Sequence, residues 1–128
     1  MILFKKEGFI MAREMRIGIA PYKDIKKHTI SIAKGEHKPT GNEPTIWFDS
    51  IESMAQVLSS KNQELLKKIR DNNPQSLAEL ATMSGRHVSN LSRTLKNMEK
   101  YGIVELDKKK DYVKPSLKAD KFKAVFSF

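Results

Sequence analysis

The sequence predicts an α+β fold in which capped helices in the middle of the chain lie between short strands. Alternating apolar residues, typical of strands, occur in residues 16–20 and again in residues 122–128. Between them, three capping patterns precede apolar residues at helical spacing, and a further helical run ends at Gly102 before a lysine-rich turn. A chain of 128 residues is long enough for one compact domain with a single core.

The composition indicates an anionic partner. The chain has 24 Lys+Arg against 15 Asp+Glu, a net charge of +9, and its sequence pI is near 9.8. Residues 61–128 hold 15 basic and 8 acidic residues, so they carry +7 of that excess. The absence of cysteine excludes disulfides, thiolate zinc sites and iron–sulfur clusters. No apolar run approaches the roughly 20 residues of a membrane span, so we expect a soluble, cytoplasmic, nucleoid-associated protein.

The N-terminal third is predicted to be an arm. The alternation RIGIA indicates a strand, with Ile17 and Ile19 on one face, and a helix follows from Pro21 to a stop at Gly35. The next segment, EHKPTGNEP, combines two prolines with a glycine and polar residues, which is typical of a linker. We therefore place an arm at residues 1–44, before a domain at residues 45–128.

The first ten residues carry a separate hypothesis. Lys6-Glu7-Gly8 can be encoded by a ribosome-binding sequence that stands two codons ahead of Met11. Under this hypothesis, Met1–Ile10 are untranslated leader read in frame.

Three helices are predicted from capping patterns, in which a polar side chain precedes a Glu or Gln by three positions. The pairs are Asp49 with Glu52, Ser60 with Gln63, and Ser76 with Glu79. The segment TIWF before the first pair is predicted to be a short buried strand. The first helix should run to Leu58, and the second should end at DNNP, because proline interrupts a helix.

A longer helix is predicted at residues 86–101. Its apolar residues recur at steps of three and four, namely Val88, Leu91, Leu95 and Met98. Two strands, IVELD and YVKPSL, then surround the turn KKKD and predict a hairpin, and FKAVFSF is either a further strand or a partner surface. The order helix, short helix, tight turn, long helix and hairpin is that of a winged helix-turn-helix domain.

The outer side of the long helix has the chemistry of a DNA-reading surface. A helix that enters a major groove needs donors and bidentate groups facing base edges, and carboxylates there would be repelled by phosphate. The predicted base contacts on this side are Arg86, Ser89, Asn90, Arg93 and Asn97. The alternative is an ordinary solvated helix face, but such faces usually interleave Glu with Lys, and this one does not.

Contacts to the DNA backbone are predicted from side chains around this helix. They are Ser76, His87, Lys96, Lys100, Lys108, Lys109 and Lys110. The hairpin lysines would touch phosphates or the minor groove, and the alternative is that they keep a turn soluble. Ser76 could accept a phosphate at its helix start, and a plain N-cap is at least as good an explanation.

Enzymatic and metal-dependent functions are not indicated. The three histidines, His28, His37 and His87, have no carboxylate or cysteine at ligand spacing, so we expect no metal site and no cofactor. No nucleophile elbow, phosphate loop or H-E-x-x-H motif occurs, so we expect no enzymatic activity.

The stretch SLAELATMSGRHVSNLSRTLKNMEKYGIVEL resembles prokaryotic winged-helix regulators of the MarR and ArsR type, in which L-A-E-L, V-S-x-L-S-R-x-L-K-x-M-E and Y-G-I-V-E-L recur in that order. A broader similarity, from RIGIAPYKDIKKHTISIAKGE to the C-terminus, is to a group of small DNA-binding proteins. The resemblance implies a transcriptional regulator, dimeric in the larger families. It also implies that Thr94 lies with Arg86, Ser89, Asn90 and Arg93 in the helix that reads DNA.

These observations predict a sequence-specific double-stranded DNA-binding regulator, either a repressor or an autoregulator. One alternative is an antitoxin-like module that binds a partner protein, such as a cognate toxin, with DNA binding secondary. Another is a winged helix used for RNA or for protein contacts alone.

A homodimer is expected because one recognition helix reads too few base pairs to select a genomic site. The expected dimer surfaces are FKAVFSF and the RIGIA strand with its helix, unless both fold back and complete the core of their own domain.

Overall fold

In the computed structural model, which describes residues 13–41 and 43–126, the chain forms an α+β fold, as predicted, and its strands form two small sheets. The elements within these residues are β1 (Glu14–Ile19), α1 (Tyr22–Ala33), β2 (Ile46–Phe48), α2 (Ile51–Val57), α3 (Ser60–Asn72), α4 (Leu77–Ser84), α5 (Val88–Lys100), β3 (Val104–Lys108), β4 (Val113–Leu117) and β5 (Lys121–Phe126). The hypothesised leader Met1–Ile10 and the last two tail residues, Ser127 and Phe128, lie outside the described residues. No helix of the described chain is long and apolar enough to cross a membrane.

The larger sheet joins the two ends of the chain. Its strand order is β2-β1-β5, and β1 runs parallel to both neighbours. Ile17 pairs with Ile46 on one side and with Ala124 on the other. The tail therefore folds back onto the N-terminal strand, which is the alternative that the sequence left open, and both edges of the RIGIA strand are paired within the chain.

A glycine is required at the centre of this sheet. Gly18 is buried and lies opposite Trp47 in the β1–β2 register. A Cβ atom at Gly18 would come within 2.4 Å of the Trp47 ring, so the indole would have to shift to admit it. The indole thus lies directly over the backbone of β1.

The caps of α2 and α3 differ from the prediction by one residue each. Ser50, not Asp49, caps α2, and its Oγ accepts a hydrogen bond from the Ser53 amide at 3.0 Å. Ser59, not Ser60, caps α3 by accepting from the Asn62 amide at 3.2 Å. In each case two adjacent polar residues could cap the helix, and the one with extended backbone places its oxygen over the third amide of the helix.

The third cap is confirmed. Ser76 accepts from the amide of Glu79 at 3.0 Å, and the Glu79 carboxylate accepts from the Gln75 amide at 3.0 Å. The helix that it opens, α4, ends at Gly85, whose φ of +74° is the left-handed conformation that favours glycine. The chain then turns and enters α5 only two residues later.

The long helix starts later than predicted. Arg86 and His87 lie in the turn before α5, because the left-handed Gly85 ends α4 and the Arg86 amide donates to Ser84 Oγ at 3.3 Å. Leu91, Leu95 and Met98 are fully buried, as predicted, but Val88 is 46% exposed. The first turn of α5 therefore projects beyond the core.

The predicted hairpin is confirmed. β3 and β4 pair antiparallel, with Leu106 opposite Pro115, and both of these residues are buried. At the tip, the Lys109 amide donates to the Tyr112 carbonyl at 2.8 Å. β3 packs on α5 and β4 packs on α3, so the hairpin is fixed against the helices on its inner face.

Candidate nucleic-acid interface

The outer face of α5 is a continuous polar surface. Its buried leucines hold the opposite side in the core, which leaves Ser89, Asn90, Arg93 and Asn97 exposed. Lys96 and Lys100 are exposed along the same helix. The surface therefore combines amide and hydroxyl groups, which can bond base edges, with three cations.

The single carboxylate of α5 is tied to the hairpin. Glu99 accepts a hydrogen bond from the Leu106 amide of β3 at 3.2 Å. This bond satisfies a backbone donor and draws one carboxylate oxygen toward the hairpin. The acidic group thus has a structural partner of its own at the end of the helix.

Arg86 occupies a different environment from the other predicted base contacts. It is half-buried, and its Nη2 donates to the Lys61 carbonyl at 3.0 Å and to Asn62 Oδ1 at 3.2 Å. These bonds join the turn before α5 to the first turn of α3. Its predicted base contact would require the guanidinium to share or exchange these partners.

An open cleft of about 520 Å³ runs beside the outer face of α5, where the end of α2 and the beginning of α3 approach it. Its lining residues are Gln56, Val57, Asn62, Arg93, Thr94, Lys96, Asn97, Met98 and Lys100. Three of these are cations and none is acidic. The predicted base contacts Arg93, Thr94 and Asn97 are therefore brought together.

Two polar residues of this cleft were missed by the sequence reasoning. Gln56 lies on α2 and Asn62 on α3, more than 30 positions before Arg93, so no local pattern relates them to α5. The Asn62 side chain also donates to the Val57 carbonyl at 3.0 Å, which satisfies the C-terminal end of α2. Only tertiary packing identifies these residues as neighbours of the surface.

The hairpin tip presents exposed lysines, Lys108, Lys109 and Lys110. The Nζ of Lys109 lies 3.0 Å from Asp107 Oδ2, and this hydrogen bond raises the pKa of Lys109 above its ordinary value. Since the pair is solvent-exposed, it contributes little to stability. A phosphate could therefore compete with Asp107 for this lysine.

The two remaining residues that are predicted to contact the DNA backbone, Ser76 and His87, are helix-cap residues. Ser76 Oγ is engaged as the cap of α4. His87 is the exposed N-cap residue of α5 and makes no side-chain capping bond. His87 therefore lies at a helix N-terminus, where anions are favoured.

One family model matches this part of the chain. The HVO_A0114 model covers residues 57–124, which is 68 of the 128 residues and includes α3, α4, α5 and the hairpin. No curated protein and no solved structure matches the chain significantly.

Proposed function

The chain belongs to the HVO_A0114 family, and we propose that it is a sequence-specific double-stranded DNA-binding transcriptional regulator, acting as a repressor or autoregulator in the cytoplasm at the nucleoid. In this proposal α3, α4, α5 and the β3–β4 hairpin are a MarR-like winged helix-turn-helix domain. The observation that carries the proposal is the outer face of α5, which is exposed, cationic and rich in bidentate hydrogen-bonding groups.

Direct reading of bases is assigned to α5. Asn side chains suit adenine and Arg suits guanine, because each presents two hydrogen-bonding groups in the geometry of the base edge. Asn90, Arg93 and Asn97 are exposed on adjacent turns of one helix, so all three can face one groove. The hydrogen bond of Glu99 to the hairpin favours this assignment, since it engages the acidic group at the far end of the helix.

Backbone contact is assigned to the hairpin. Its exposed lysines follow α5 directly in the chain, and the strand that leads to them packs on α5. Phosphate contacts hold a protein in register on the duplex and supply affinity without sequence information. The lysines are therefore expected to contribute equally to the affinity for every DNA sequence.

A homodimer completes the proposal, because two recognition helices related by a two-fold axis read a palindrome. Within the described residues, β5 is paired on one side only, and Val125 and Phe126 are 44% and 51% exposed. Its outer edge could pair with the same strand of a second copy. Sedimentation at micromolar concentration, with and without operator DNA, should show a dimer; a monomer in both states would refute this part.

A second candidate function is supported by exposed apolar side chains on α1 and β5. Tyr22 and Ile30 on α1 are 67% and 42% exposed, and with the exposed end of β5 they offer apolar surface outside the DNA-reading helix. Such a surface is expected of an antitoxin-like module that binds a partner protein, such as a cognate toxin, with DNA binding secondary.

The experiment that tests the proposal is fluorescence anisotropy of labelled duplexes over a range of salt concentrations. Each phosphate contact adds about 0.9 to the slope of log K against log salt on duplex DNA. Lys96→Ala and Lys100→Ala should each lower the slope by roughly that amount. The matched control is Lys67→Ala, an exposed lysine on α3 whose Nζ lies 3.5 Å from Glu64, outside the proposed interface. A wild-type slope near zero, or equal losses in the control, would refute DNA binding by this face.

A further inference from the structure

Three potential metal ligands meet in the N-terminal third of the chain, and none of them belongs to α5 or to the hairpin. His28 lies on α1, whereas His37 and Glu43 lie in the connection between α1 and β2. Each offers one ligand atom, and these three atoms lie within 4.8 Å of one another. His37 and Glu43 follow His28 by 9 and 15 positions, so the spacing in the sequence does not predict a metal site, and the fold brings the three residues together.

Both imidazoles approach the same carboxylate oxygen. His37 Nε2 is 2.7 Å from Glu43 Oε1, and His28 Nε2 is 3.6 Å from that same atom. One histidine is enough to hydrogen-bond the oxygen, and the second is too far away to do so. His37 Nε2 also lies 3.0 Å from Glu43 Oε2. The three ligand atoms thus converge closely enough for one cation placed between them to take all three as ligands.

Neighbouring groups hold the three side chains in place. The Thr40 amide donates to Glu43 Oε2 at 2.8 Å, which anchors the other oxygen of the carboxylate. The His28 ring lies 5.1 Å from the His37 ring and 5.6 Å from the Trp47 ring, centroid to centroid. The ligands are partly sheltered, since the side chains of His28, His37 and Glu43 are 27%, 39% and 22% exposed. Such supporting contacts are typical of sites that orient their ligands before the metal binds.

We propose that His28, His37 and Glu43 bind one divalent transition-metal ion, with zinc as the preferred ion. Two imidazoles and one carboxylate are a donor set that suits zinc, which takes nitrogen and carboxylate oxygen at about 2.0–2.2 Å in tetrahedral geometry. Ligand atoms around such an ion stand roughly 3.3 Å apart, by the geometry of a tetrahedron with those bond lengths. The observed separations of 2.7 and 3.6 Å lie on either side of that value. Three protein ligands leave the fourth position to water or to another group.

The ion would fasten α1 to the rest of the domain. No residue of α1 is buried, so this helix has little apolar packing of its own. A metal bridge from His28 to the connection before β2 joins α1 to the sheet through bonds rather than through packing. Because the ion binds the folded chain, it should stabilise that chain by mass action.

The test uses the chain without an affinity tag and with its single tryptophan as the reporter. Because Trp47 contacts His28, titration with Ni²⁺ or Co²⁺ should quench its fluorescence at one ion per chain, and Zn²⁺ should reverse the quenching. At zinc concentrations about 100-fold above the dissociation constant, the thermal midpoint should rise by roughly 5–10 °C.

Three variants make the test specific. His28→Ala and Glu43→Gln should each weaken binding at least about tenfold, a loss typical for ligands and their close supports. The amide of Gln at position 43 keeps the capacity to accept from Thr40, so this variant removes charge with little change in structure. His87→Ala, which removes an exposed histidine outside the metal cluster, should bind the metal ion as tightly as the wild type does. Absence of quenching up to millimolar metal, or an equal loss in His87→Ala, would overturn the proposal. Since DNA binding is not measured, failure here leaves the proposed function standing.

Discussion

Arg93→Ala is the sharpest test of base reading by α5. The Arg93 side chain is exposed, lines the cleft beside α5, and makes no hydrogen bond or ion pair with another described residue. Its guanidinium is therefore free to meet a guanine edge. Because no internal contact is lost, the variant should fold normally, with a change in unfolding free energy within about 0.5 kcal/mol.

The expected loss follows from the contact that Arg93 can make. A bidentate bond from Arg to guanine O6 and N7 discriminates against other bases by about 1–3 kcal/mol. At about 1.4 kcal/mol per factor of ten, affinity for the preferred site should fall roughly 5- to 150-fold. On random duplex the variant loses only one positive charge, so the decrease there should be smaller.

The assay is fluorescence anisotropy on the preferred duplex and on duplexes substituted at one base pair at a time. The matched control is Arg70→Ala, which removes the same charge from the end of α3, where Arg70 Nε donates to Asp71 at 2.7 Å. Arg93→Ala should relax the preference at one base position, and Arg70→Ala should leave every preference intact. The reasoning is refuted if Arg93→Ala lowers specific and random binding in the same ratio.

Three further predictions concern the wing, a helix cap and the sheet. Lys109→Ala should weaken binding to all duplexes alike and lower the salt slope by about 0.9, whereas Asp107→Asn should strengthen binding by releasing that lysine; anisotropy on random duplex measures both. Ser76→Ala should cost about 1 kcal/mol of unfolding free energy in urea, and Ser76→Asp should keep the cap yet weaken DNA binding by repelling phosphate; unchanged stability in the first variant would contradict the role of the cap. Gly18→Ala should destabilise the chain by about 1–3 kcal/mol, because the new methyl group displaces Trp47; a stable variant with native tryptophan fluorescence would show that the indole does not need this space.

Local signals in the sequence were sufficient for the helical region and the hairpin. The Ser76 cap, the left-handed Gly102 and the apolar spacing of α5 all act within a few residues, so each can be identified without knowledge of the fold. The one-residue errors at the caps of α2 and α3 arose because two neighbouring polar residues compete for the same role. Backbone conformation decides between them, and sequence does not give it.

Long-range contacts could not be predicted in the same way. The parallel pairing of Glu14 with Lys121 joins strands more than 100 residues apart, and no local pattern fixes such a register. The same holds for the candidate sites. Arg86 was assigned from its place on the outer side of a helix predicted to begin at that residue, but its bonds to the start of α3 depend on how the helices pack. His28 and His37 looked isolated because their spacing in the sequence does not relate them to Glu43. The fold brings Glu43 beside both of them.

Selection of bound sequences from a pool of random duplex DNA tests the central claim most directly. If α5 reads bases as part of a dimer, the selected pool should converge on an inverted repeat whose half-site centres lie about 34–36 Å apart, or a multiple of that distance. A pool that stays random after repeated rounds, at a salt concentration where the chain still binds duplex DNA, would contradict sequence-specific recognition.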